Sequence, residues 1–158
     1  MHCRPFGEGV RTMTEQKRLE TEIKTLTPRL AAQLPHLKTM LKNLATHAAL
    51  VRHGDPELEE TRKNLLHILE ELIRFSQTNF HNGQQLYKIS TEAENIVRLM
   101  REEMKELVEL HRAVSRFTFQ NSGQEMPKID AIITKLEKAY TAEVQIVQAF
   151  SSEAKEAA

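Results

Sequence analysis

The sequence predicts an all-α fold, an antiparallel helical bundle with coiled-coil-like packing, and three observations carry that prediction. The composition is dominated by Leu, Glu, Lys, Ala, Arg, Gln and Met, all good helix formers, with no Trp in 158 residues. Apolar residues recur at alternating steps of three and four along most of the chain. Glycine and proline are few and fall in small groups that punctuate those runs.

The first run extends from about Thr14 to His53. Its apolar positions are Leu19, Ile23, Leu26, Leu30, Leu34, Leu37, Leu41, Leu44, Ala48 and Val51. Pro28 and Pro35 each remove a backbone donor, which predicts a kink or short break between Thr27 and His36. The segment RHGDPELEE reads as a stop and a restart. Gly54 is placed for a C-terminal cap, Asp55 for an N-cap and Pro56 for the first helical position. Glu57, Glu59 and Glu60 then favour the positive end of the helix dipole.

From there one heptad position runs through Leu58, Leu65, Leu72, Asn79, Leu86, Ala93, Met100, Leu107 and Val114. Flanking positions add Leu66, Ile73, Phe80 and Tyr87, and then Ile68, Phe75, Asn82, Ile89 and Ile96. That stripe is wider than a two-stranded seam needs, so such a helix is buried by two or more neighbours.

The polar stretch SQTNFHNGQQ, Ser76 to Gln85, interrupts this stripe and leaves two architectures open. Asn82-Gly83 can close a hairpin, because both residues tolerate a left-handed backbone, and the bundle then has four helices. Alternatively the helix continues to about Phe119, roughly 95 Å at about 1.5 Å per residue, giving three helices with one very long central member. The unbroken heptad favours continuity. The simultaneous loss of apolar side chains at Ser76, Asn79, Asn82 and Gly83 favours the hairpin, which is the preferred reading.

NSGQEMPK ends that region, and Met126 to Lys155 forms the last helix. Its inner face carries Ile129, Ile132, Ile133, Leu136, Tyr140, Val144, Val147 and Phe150. The chain thus reads as a disordered tail over 1–13, or an upstream start read in error, followed by a single bundle domain over 14–156. Thr14–His53 carries seven bases against three acids, and Asp55–Phe80 six acids against three bases. Opposite signs on consecutive helices favour their pairing, each contact weakly.

The balance of 22 basic and 22 acidic side chains leaves no electrostatic case for a nucleic-acid or anionic-membrane partner. No apolar run reaches the roughly 18 residues of a membrane span. The single cysteine, Cys3, excludes an intrachain disulfide and fits a reducing, cytoplasmic compartment.

A di-iron carboxylate bundle needs Glu-x-x-His on two helices, and no histidine here has a glutamate three residues before it. His67 and Glu71 lie four apart on one face without a second such pair. His36-Leu37-Lys38 lacks the lysine spacing and following glycine of a phosphorelay histidine. No strand-to-helix serine elbow or phosphate loop occurs. Glu92-x-x-Asn95, Lys38/Lys42 and Arg112/Arg116 read as solvated surface, and Met100/Met104 as core filling. No catalytic, metal or cofactor-binding residue is assigned.

Asn79-x-x-Asn82-Gly83-x-x-Leu86, preceded by a Leu-rich helical region, resembles a motif of the flagellar type III export chaperones. Those are small cytoplasmic helical proteins that hold export substrates. The resemblance implies an exposed helical groove for a partner helix, with Asn79, Phe80, Asn82, Gly83 and Leu86 as candidate partner-binding residues. The expected function is a non-enzymatic protein-interaction or scaffold role, with self-association into a homodimer. An export chaperone that binds a helical segment of its substrate is the alternative.

Overall fold

In the computed structural model, which describes residues 6–50, 56–118 and 120–157 (side chains at 13–48, 57–118 and 120–150), each amphipathic run forms a helix. Helix α1 spans Phe6–Leu50, α2 Pro56–Ile89, α3 Glu94–Arg116 and α4 Ser122–Ala157, with a short 3₁₀ turn over Thr91–Ala93. Each helix packs on the one before and the one after it, and α4 closes the ring on α1. Side-chain pairs fix the directions. His47 meets Glu57 and Thr27 meets Asn79, whereas Glu70 meets His111 and Lys38 meets Glu137. Sequence separation grows outward from every connection, so the fold is an up-down-up-down four-helix bundle. No helix is long and apolar enough to cross a membrane among the described residues.

Four helices form, as the hairpin reading expects, but the break is not at Asn82-Gly83. Helix α2 runs through both residues and ends at Ile89, and no residue takes a positive φ among those described. The chain turns at Ser90, which is extended (φ −139°, ψ 117°). The run Ile89-Ser90-Thr91 is poor in helix formers, and Thr91-x-x-Glu94 has the spacing of a helix-start signal. Gly83 is small for another reason: a Cβ there would stand 2.6 Å from Met100 Sδ of α3. Its role is close helix–helix approach, not reversal of the chain.

Other boundaries shift as well. Helix α1 begins at Phe6 and passes without a break through Pro28 and Pro35, both on its solvent side. Helix α4 starts at Ser122 rather than Met126. Its entry is closed by Thr118 N–H donating to Asn121 Oδ1 (2.7 Å) and Asn121 N–H donating to Thr118 Oγ1 (3.2 Å). That reciprocal pair has the logic of a capping box. Pro56 opens α2 as expected, while Cys3, Gly54 and Asp55 lie outside the described residues.

The core falls into two apolar clusters. The larger joins Leu30–Ala48 of α1 with Leu58–Leu72, Leu107–Phe117 and Ile129–Tyr140. The smaller, at the end holding the Ser90 turn, joins Leu19 and Ile23 with Leu86, Ala93–Met100, Val147 and Phe150.

Candidate functional site: a buried polar layer

Between the two clusters every helix puts a polar residue where its seam should carry an apolar one. Helix α1 contributes Thr27, between Ile23 and Leu30. Helix α2 contributes Ser76 and Asn79, between Leu72 and Leu86. Glu103 of α3 lies between Met100 and Leu107, and Tyr140 and Glu143 of α4 lie between Leu136 and Val147. Glu103 and Glu143 are 1% and 0% exposed. Carboxyl groups are almost never buried this far unless they have partners.

The partners come from the other helices. Asn79 Nδ2 donates to Thr27 Oγ1 (3.1 Å) and to Glu143 Oε2 (3.3 Å). Glu143 also lies within hydrogen-bonding reach of Thr27 and Glu103. Tyr140 and Ser76 are partners in the same layer. Burial, then the Glu143 carboxyl beside it, pushes the Glu103 carboxyl up to about 11. Burial also raises Glu143, but the hydrogen bonds it accepts from Glu103, Thr27 and Asn79 work against that. Glu103 therefore holds the proton between the two, and Glu143 is the acceptor. Tyr140 is raised too, by burial and then by the two neighbouring carboxyls.

Three buried oxygens of the layer receive no hydrogen bond from an amide or a hydroxyl: Asn79 Oδ1, Glu103 Oε2 and Glu143 Oε1. They come from three different helices, and the two carboxyl oxygens belong to the glutamate pair that shares the Glu103 proton. No group of three or more His, Cys, Asp and Glu residues that could hold a metal occurs among the described residues. The layer holds two carboxyls, the Asn79 amide and the hydroxyls of Thr27, Ser76 and Tyr140. A groove of about 510 Å³ between α1 and α4 approaches it, lined by Ala31, Pro35, Lys38, Tyr140 and Val144 among others.

The five residues singled out from the sequence do not make one exposed face. Asn79, Asn82, Gly83 and Leu86 are buried, and Asn79 alone of them hydrogen-bonds within the layer. Phe80 is half-buried, with the Arg101 guanidinium 5.7 Å from its ring centroid, a cation–π contact. His67 and Glu71, four apart on one face of α2, meet at the surface, with 3.4 Å between His67 Nε2 and Glu71 Oε1.

Sequence reasoning missed Glu103 and Glu143. Both sit in step with their seams, Ile96-Met100-Glu103-Leu107-Leu110 and Leu136-Tyr140-Glu143-Val147-Phe150, so the signal was present. Compared with protein-family models, curated proteins and solved structures, the chain matches none.

Proposed function

We propose that this chain is a non-enzymatic helical interaction protein that self-associates through the outer face of α1 and α2. The observation behind this reading is Phe75, a large apolar side chain left 50% exposed on α2. It stands in a groove of about 440 Å³ between the two helices, beside Leu26, Ile68 and Leu72. The α1 wall of that groove carries Arg29 and His36, and the α2 wall carries Glu71. A two-fold axis over the groove lays each basic wall on the acidic wall of the second copy, which makes the face self-complementary.

The width of the apolar stripe, by contrast, does not bear on self-association. Each helix already has two neighbours within the chain, and these cover it. The export-chaperone alternative has less to stand on, because four of its five residues are turned into the core.

The test is molar mass by light scattering across a concentration series, with Phe75→Glu as the comparison. A dimer that dissociates in the variant, with helicity unchanged, supports the proposal. A wild-type chain that stays monomeric at tens of micromolar overturns it.

A further inference from the structure

We propose that the Glu103–Glu143 pair is a proton-operated latch: loss of the proton the two carboxyls share lets α1 swing away from α4 at the polar layer, with α2 and α3 left packed.

The first ground is what surrounds the pair. The two carboxyls are buried and hydrogen-bonded to each other through the Glu103 proton. The other groups of the layer are neutral: Thr27 of α1, Ser76 and Asn79 of α2, and the protonated Tyr140 of α4. Glu102, which also bears on Glu103, is negative too. Bases flank the layer along every helix: Lys24 and Arg29 on α1, Arg74 and His81 on α2, Arg101 and Lys105 on α3, and Lys138 on α4. All of these are exposed. Among the described residues no lysine, arginine or histidine is buried. When the Glu103 O–H gives its proton to water, two adjacent carboxylates stand in a dry site with no cation between them. Like charges so placed do not both stay ionised in contact. The pair keeps its proton, or the site opens to water.

The second ground is which seam yields. Consecutive helices are joined by the chain, whereas α1 and α4 meet by packing alone. Helix α1 is held to the layer through one side chain, the Thr27 hydroxyl. Pro28, beside Thr27, and Pro35 each take a backbone hydrogen bond from that helix. The groove of about 510 Å³ between α1 and α4 is lined by Pro35 and by Tyr140 of the layer, and gives water its route. The Lys38–Glu137 ion pair across the seam (2.8 Å) is half-exposed and holds it weakly.

The direction follows from the two states. Closed, the layer holds the Glu103 carboxyl up at about 11, and opened to water it returns toward the ordinary 4.5. Between those values the opened form binds one proton fewer, so its population rises about tenfold per pH unit.

Amide hydrogen exchange of the full-length protein, followed by mass spectrometry from pH 6 to 9 and corrected for the intrinsic rate, tests the latch. The α1 segment around Thr27 should show protection at least about tenfold below that of α2 around Leu65 and α3 around Leu107. That α1 protection should fall about tenfold per pH unit. Glu103→Gln has no such proton to release, and its α1 protection should stay level across the range. Wild-type α1 protection equal to that of α2 and α3 at every pH overturns the proposal, because the proton then leaves only on global unfolding. So does wild-type α1 protection that is independent of pH, a result that needs no variant to fold. A Glu103→Gln chain that keeps the wild-type slope overturns it as well.

Discussion

The Asn79 amide nitrogen lies 3.1 Å from Thr27 Oγ1 and 3.3 Å from Glu143 Oε2, so one side chain of α2 ties α1 and α4 together through the core. Polar contacts of this kind do not have to make a bundle more stable. They restrict which helix faces which, and at what height, because any other pairing buries the same groups without partners. In this chain all four helices carry the mark at one level, so each register shift puts at least one polar group against apolar neighbours.

Asn79→Ala removes the donor to both partners and leaves Glu143 with one fewer hydrogen bond in a dry site. The expected loss is about 2–4 kcal/mol by urea denaturation, combining a cavity with an unpaired acceptor. The combined change Thr27→Val, Asn79→Leu, Glu103→Met and Glu143→Leu has the opposite sign. Replacing a buried polar cluster with packed apolar side chains should raise stability by about 1–4 kcal/mol. The same variant should lose uniqueness of association, seen as a broader distribution of mass in light scattering.

The Glu103 carboxyl makes stability depend on pH with a definite sign. Its folded value, about 11, lies above the ordinary 4.5, so the folded state keeps a proton that the unfolded chain releases. Its contribution is complete below the unfolded value and falls as pH rises toward the folded one. The protein should therefore lose stability from about pH 5 to about pH 8, by up to about 1.4 kcal/mol per unit per proton. Glu103→Gln should flatten that slope, as read from denaturation midpoints across the pH range.

Gly83 and Met100 should be energetically coupled. Alanine is favoured over glycine in a helix by about 1 kcal/mol, but its Cβ would crowd the Met100 sulfur. Gly83→Ala alone should leave stability within about 1 kcal/mol of wild type, since methionine adapts. Met100→Ala alone should cost about 2–5 kcal/mol. A double-mutant cycle should show Met100→Ala costing measurably less when Ala already occupies position 83.

Asn121→Ala tests the closure between α3 and α4. Its side chain accepts from Thr118 N–H and donates to the Arg116 carbonyl at 2.8 Å. Losing both should cost about 1–2 kcal/mol, the range of a strong helix cap, measured by thermal denaturation.

The heptad from Leu58 to Val114 was legible in the sequence, and every one of its nine positions is buried. The same regularity pointed to an unbroken helix, because the Ser90 turn falls between Leu86 and Ala93 without disturbing the count. Asn82-Gly83 misled for a physical reason: a glycine that admits a neighbouring helix looks, in sequence, like one that ends a helix. The polar layer stayed hidden because, at two positions, an apolar neighbour offered an easier seam. Leu26 stood in for Thr27, and Val144 for Glu143. In each pair the apolar residue is only half-buried and the polar one is inside. Periodicity alone cannot rank those neighbours, since the choice depends on what the facing helices supply.

The most direct test of the assembled layer is infrared spectroscopy near pH 8, comparing wild type with Glu103→Gln. The structure predicts a carbonyl band from a protonated, buried carboxylic acid in wild type, lost in the variant while helicity is kept. Identical spectra with no such band would mean that Glu103 is ionised and solvated. The two glutamates would then not meet in the core.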